Sequence, residues 1–133
     1  MRPCGMSDAM YQVGAAAEVR ALHVMPGAPL PEGELHAHDY RLEVVLERNE
    51  LDERGMVCDL DVLEAALAGV VAVVRDADLE VIRPPHAEAV TVEVFARWAH
   101  DTLASAIRGE GVEMLTVRVW ESPTAFGAYR AAV

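Results

Sequence analysis

Two runs of alternating apolar and polar residues, each with histidine at one end, most constrain how this chain can fold. Over residues 11–23 the apolar side chains fall on odd positions, whereas the even positions include Gln12, Glu18 and Arg20. Successive side chains of a β-strand point to opposite faces of a sheet, so this pattern predicts a half-buried strand. His23 lies at the end of that strand, on its apolar face.

The second run brings two more histidines to the same place. Residues 35–48 alternate in the opposite phase, and His36 and His38 open the apolar face of that predicted strand. The connecting residues 24–35 hold three prolines and two glycines, which is loop chemistry. If the two strands pair antiparallel, the end of the first adjoins the start of the second. His23 would then meet the other two histidines.

Imidazole is the commonest protein ligand for metals, and three protein ligands with one open position are the usual catalytic zinc arrangement. We therefore predict that His23, His36 and His38 bind Zn²⁺. The alternative is that they are hydrogen-bonded core histidines, as an isolated inward-facing histidine usually is.

The rest of the chain predicts two helices followed by two more strands. In chain order we expect a polar turn at 49–55, a short extended piece at 55–58, a helix over about 60–75 capped by Asp59, a loop at 76–90, a helix over about 92–108 capped by Thr91, a strand over about 112–121 and a short strand over 126–131. The order β-β-α-α-β-β indicates an α+β fold whose helices cover one face of an antiparallel sheet.

Composition narrows the class of protein. The 133 residues fit one domain, 1–133, with a loose tail at 1–9, no secretory signal and no stretch that spans a membrane. The formal net charge of −11 argues against nucleic acid or an anionic membrane as partner. All eleven basic residues are arginine, which excludes Schiff-base catalysis and a lysine general base. Two cysteines are too few for a disulfide framework. A cytoplasmic location is expected.

Five acidic residues are candidates for a site around the histidines. Glu32 and Glu34 precede the histidine pair and could act as general base or fourth ligand, or could be solvated loop acids. Glu121 falls on the apolar face of a strand end, where it could anchor a ligand with adjacent N–H donors or simply face water. Asp76 and Asp78, in the loop after the first helix, could belong to a proton relay or be solvated.

Three other residues that could carry chemistry are predicted to lie outside any site. His86 lies among prolines and acidic residues and is expected to be a loop histidine. His100 falls on the polar side of the second predicted helix and is expected to be exposed. Cys58 adjoins the start of the first helix and is expected to be a small core residue.

Several segments together resemble the 6-pyruvoyl-tetrahydropterin synthase and 6-carboxytetrahydropterin synthase family. The matching segments are Val19-Arg20-Ala21-Leu22-His23, His36-Ala37-His38-Asp39-Tyr40, Gly55-Met56-Val57-Cys58-Asp59-Leu60, Thr91-Val92-Glu93-Val94-Phe95-Ala96 and Val117-Arg118-Val119-Trp120-Glu121-Ser122. They are similar to the family's first strand, its H-G-H-N-Y and G-M-V-x-D-F segments, its P-T-x-E-x-L-A helix start and its V-x-V-x-E-T strand. The likeness covers about residues 11–131.

The resemblance implies the tunnelling fold (T-fold), in which the sheets of several subunits join into barrels, usually as trimers stacked into hexamers. It implies zinc on the three histidines, a dihydropterin substrate held by Glu121 and Thr91, and active sites shared between subunits. The usual substrate is 7,8-dihydroneopterin triphosphate, and the pathways are biopterin, folate or queuosine biosynthesis.

The chain departs from the family pattern at its acid–base residues. The family's catalytic cysteine is absent from 31–35, where Glu32 stands at its place, and the histidine of the Asp-His pair is missing beside Asp76. Members with glutamate at that place are associated with side-chain cleavage to 6-hydroxymethyl-dihydropterin. The sequence thus predicts a zinc-dependent lyase, with a catalytically degenerate zinc- and pterin-binding protein as the alternative.

Overall fold

A four-stranded antiparallel sheet forms the frame of the computed structural model, which describes residues 9–133. The strands are β1 Tyr11–His23, β2 His36–Arg48, β3 Met114–Ser122 and β4 Ala125–Ala132, and they lie in the sheet in that order. Each predicted strand is present, and the alternation that identified β1 and β2 places their apolar residues on one face. The predicted N-terminal tail lies, apart from residue 9, outside the described residues.

Two α-helices and one short 3₁₀ helix occupy the middle of the chain. They are α1 Leu60–Val74, the 3₁₀ helix Leu79–Ile82 and α2 Val92–Ile107. Both predicted caps are confirmed, because Asp59 accepts a hydrogen bond from the Asp61 amide and Thr91 from the Val94 amide. The 3₁₀ helix lies within the predicted loop at 76–90 and was not itself predicted.

Residues 55, 57 and 58 are bends and residue 56 has no regular structure, so the predicted extended piece was wrong. The Asp52 carboxylate accepts hydrogen bonds from the amides of Arg54 and Met56 and closes this segment into a turn. Cys58 is 4% exposed and is a core residue, as predicted.

The core lies between one face of the sheet and the two helices. Strand residues such as Leu42, Val44 and Val117 pack there against helix residues such as Leu63 and Phe95, all at 1% exposure or less. The helices therefore cover one face of the sheet, as the element order predicted, and the apolar phase of each strand points towards them. Among residues 9–133, no helix has both the length and the apolar character that a membrane span requires.

His100 is buried, which corrects the prediction that it is exposed. Its ring is 3% exposed and lies 3.2 Å from the Ala131 carbonyl of β4 and 3.0 Å from the Asp101 carboxylate. Helical periodicity alone places His100 on the polar side of α2, but β4 packs over that side.

Candidate metal centre and cleft

The pairing of β1 with β2 brings the three histidines to one corner of the sheet. In the antiparallel register His23 is opposite His36, and Ala21 is opposite His38. Side chains of opposite residues share a face, so all three rings point towards the helix-covered side. The ring centroids are 4.5 Å apart for His23 and His36, 5.1 Å for His23 and His38, and 4.8 Å for His36 and His38.

Backbone carbonyls orient two of these rings. His36 Nδ1 lies 2.7 Å from the Glu34 carbonyl oxygen, and His23 Nδ1 lies 3.4 Å from that of Val90. A carbonyl only accepts, so each Nδ1 carries the proton and donates it. Each Nε2 is then left with a lone pair, the arrangement that outer hydrogen bonds impose on metal-bound histidine.

The donor atoms fit a zinc ion. His36 Nε2 and His38 Nε2 are 3.1 Å apart, close to the separation of about 3.3 Å that two nitrogen ligands of tetrahedral zinc would have. One ligand atom from each of the three residues lies within 4.8 Å of the others. His23 Nε2 is buried and has no hydrogen-bond partner among residues 9–133. A buried lone pair without a partner is costly, and a metal ion would satisfy it.

Burial, and next the neighbouring His36, lower the pKa of His23 below its ordinary value. The neutral form is the one that binds metal, so the surroundings favour the ligand state of this residue. Tyr40 packs beneath the cluster, with its ring centroid 5.5 Å from that of His38 and 5.3 Å from that of Phe95. This aromatic contact supports the histidines from the core side.

The histidines open onto a cleft of about 470 Å³ that also contains three of the predicted site residues. Glu32, Thr91 and Glu121 line it together with His23 and His38. These residues come from the loop before β2, the start of α2 and the end of β3, so the fold gathers three separate parts of the chain around the same space. The cleft therefore holds a candidate base and a candidate ligand anchor beside the candidate metal site.

Comparison with known proteins identifies the family. The sequence profile of the 6-pyruvoyl tetrahydropterin synthase family matches residues 13–132. The chain belongs to this family. A search of curated proteins found no match. The fold is the family's T-fold, as predicted.

Solved structures of 6-pyruvoyl tetrahydropterin synthases share this fold. The protein from Plasmodium vivax has a TM-score of 0.77 at 15% identity, with 95% of this chain and 100% of that chain covered. The Caenorhabditis elegans protein has a TM-score of 0.70 at 20% identity, covering 92% and 96%. Two further Plasmodium vivax structures are described as catalytic residue mutants, in which a glutamate is replaced by alanine or by cysteine.

The side chains of two predicted site residues, Glu34 and Asp76, do not line the cleft. The Glu34 side chain is not among those lining the cleft, and its backbone carbonyl instead holds His36. Asp76 follows α1 with a positive φ of 54° and lies 3.6 Å from the Arg20 guanidinium. Its side chain is 66% exposed. Asp76 therefore does not reach the histidines of its own chain.

A second cavity of about 680 Å³ adjoins the first, because His38, Glu121 and Ser122 line both. It extends over the face of the sheet that carries no helices. Glu43 accepts a hydrogen bond from the Trp120 indole N–H there. Sequence analysis did not single out Glu43 or Trp120 as site residues. Glu43 and Trp120 fall on the polar positions of β2 and β3, and this pattern predicts only that they are exposed. The pairing of β2 with β3, which no local pattern predicts, places Arg41 opposite Trp120 at this cavity.

Proposed function

We propose that this protein is a zinc-dependent lyase that acts on the side chain of 7,8-dihydroneopterin triphosphate or a related dihydropterin. The observation that carries the proposal is the buried His23 Nε2, which has no partner within the described part of the chain. It lies beside His36 and His38 at a cleft lined by Glu32 and Glu121. Membership of the 6-pyruvoyl tetrahydropterin synthase family supports the pterin substrate.

In this proposal the three histidines hold the zinc ion through their Nε2 atoms. Bound zinc would act as a Lewis acid that lowers the pKa of the substrate's side-chain hydroxyls. Glu121 would accept hydrogen bonds from the adjacent N–H groups of the pterin's amino-pyrimidinone edge, since a carboxylate can accept two parallel bonds. Thr91, which lines the same cleft, would contact the substrate.

Glu32 is proposed as the general base. Its carboxylate would take a proton from a side-chain hydroxyl, and the C–O bond would become a carbonyl as the adjacent C–C bond breaks. The bonding electrons would pass into the dihydropterin ring system, and a proton returned to the ring-side carbon would give 6-hydroxymethyl-dihydropterin and an aldehyde. A glutamate described as a catalytic residue in the Plasmodium vivax neighbour supports this role.

The active site is also proposed to form between subunits of a homo-oligomer, a trimer or hexamer. Two observations support this. The cleft is open in the single chain, and Asp76 lies away from it beside Arg20. A catalytic role for Asp76 would therefore need the cleft of a neighbouring subunit. Glu34, whose carbonyl orients His36, is proposed as a positioning residue through its backbone.

The test is turnover by zinc-loaded protein. Dihydroneopterin triphosphate and dihydroneopterin are incubated with it in separate reactions and the products are separated by chromatography. A cleaved or eliminated side chain is expected. Absence of any product with zinc fully loaded would contradict the proposal.

The second candidate is a degenerate family member that binds zinc and a pterin without catalysis. It is favoured by the place of Asp76, which has no histidine beside it in sequence and does not enter the cleft of its own chain. Wild type and Glu32→Ala distinguish the two. If neither protein turns over a pterin while both retain zinc and bind the ligand, the degenerate function is correct.

A further inference from the structure

The two adjoining cavities at the histidines are strongly acidic. Among residues 9–133, six carboxylates and one guanidinium line them. The acidic residues are Glu18, Glu32, Asp39, Glu43, Glu93 and Glu121, and the basic residue is Arg41. The chain as a whole has twice as many acidic as basic residues, 22 against 11, and the cavities exceed that ratio.

The single guanidinium is already offset by neighbouring carboxylates. Arg41 Nη2 lies 4.0 Å from Glu43 Oε2, and in the β1–β2 register Arg41 is opposite Glu18. Arg20, on the neighbouring strand β1, does not line either cavity; it is opposite Asp39 and lies 3.6 Å from the Asp76 carboxylate. Neither arginine is free of an acidic neighbour that would compete with a phosphate.

The start of α2 is the other feature of the cleft that could favour an anion. Helix N-termini attract negative charge through their free amides. Here Thr91 Oγ1 already accepts from the Val94 amide, and Glu93 places a carboxylate in the first turn, at the cleft itself. The chain's own groups thus offset this end of the helix.

We propose that the site takes an unphosphorylated dihydropterin, whose side chain carries only hydroxyls, in preference to its triphosphate. This inference rests on the proposed function and specifies its substrate class. Hydroxyls need only hydrogen bonds and the metal. A triphosphate carries about four negative charges, and a carboxylate about 8 Å away would weaken its binding roughly fivefold after screening by salt. Six carboxylates against one guanidinium and a dipositive metal would leave the lining that this chain contributes net negative.

The experiment uses zinc-loaded wild-type protein with 7,8-dihydroneopterin and its triphosphate. Both kcat/KM and Kd are measured at low and at physiological ionic strength. The unphosphorylated compound should be preferred at least about tenfold at low ionic strength, and the preference should shrink as salt is added. A preference for the triphosphate would overturn the inference.

A charge-removing pair of substitutions provides the second readout. Glu18→Gln with Asp39→Asn should raise the affinity for the triphosphate about tenfold or more relative to dihydroneopterin. Glu64→Gln, at an exposed position of α1 away from both cavities, removes one charge as a control and should leave that ratio unchanged. An unchanged ratio in the double variant would also overturn the inference.

Failure of the inference and failure of the proposed function give different results. Turnover with a preference for the triphosphate contradicts only the substrate class. Binding of dihydroneopterin in preference to the triphosphate without turnover contradicts the lyase activity and supports the substrate class. If the zinc-loaded protein binds neither compound, both are overturned.

Discussion

Replacing Glu32 by Gln is expected to lower kcat between about 10²-fold and 10⁴-fold, the usual contribution of a positioned general base. That range corresponds to about 3–5 kcal/mol of the activation barrier. Glu32 lines the cleft with His23 and His38, and its carbonyl accepts a hydrogen bond of 2.7 Å from the Met25 amide, which fixes this part of the loop. Glutamine has the same size and hydrogen-bonding reach but cannot take the proton.

Glu34→Gln is the matched control, two residues away in the same loop. Only the backbone carbonyl of Glu34 contacts the site, through His36 Nδ1, and a side-chain substitution leaves that carbonyl in place. We expect its kcat to stay within about threefold of wild type. Single-turnover measurements on zinc-loaded protein, with pterin binding followed separately, distinguish a lost base from lost binding. Activity of Glu32→Gln within tenfold of wild type, or an equal loss in Glu34→Gln, would refute this assignment.

Three further predictions concern the proposed pterin anchor Glu121, the buried His100 and the buried Cys58. Glu121→Gln should weaken pterin binding about 10-fold to 100-fold, since a charge-assisted acceptor is replaced by a neutral amide; a change below threefold in a fluorescence titration would contradict the anchor. His100→Ala should cost about 1–3 kcal/mol in urea unfolding because it leaves the Ala131 carbonyl without its partner, and unchanged stability would show that this contact contributes nothing. Burial raises the pKa of the Cys58 thiol, so in a Cys4→Ser background the folded protein should resist iodoacetamide at pH 8. The contribution of the protonated thiol to the free energy of unfolding is fully present below the pKa of the unfolded chain, about 8.5, and declines as pH rises above it. Rapid alkylation of folded protein would contradict the burial.

The strands and the histidine cluster could be predicted because both depend on local periodicity. Alternation fixes the face of every residue in β1 and β2, and a connection between consecutive antiparallel strands places the end of one beside the start of the next. His23 therefore had to meet His36 on the same face. The helix caps Asp59 and Thr91 could be predicted for the same reason, because each accepts a hydrogen bond from an amide two or three residues away.

The remaining features depend on contacts between distant parts of the chain. His100 is buried because β4 packs over it, and β4 is placed by its pairing with β3 rather than by any pattern in α2. In the loop before β2, no periodicity indicates which glutamate faces the cleft, so only the family resemblance favoured Glu32 over Glu34. The acidic lining of the two cavities could not be predicted either, because it combines residues of β1, β2, α2 and β3.

Metal analysis combined with X-ray absorption at the zinc edge tests the predicted zinc site. Purified protein should contain about one zinc per chain, bound by imidazole nitrogen at about 2.0–2.1 Å. His23→Ala should lose the metal, whereas His86→Ala, which alters a histidine outside the cluster, should keep it. Protein that binds no zinc even after zinc is supplied, or whose zinc survives His23→Ala, would contradict a zinc site formed by His23, His36 and His38.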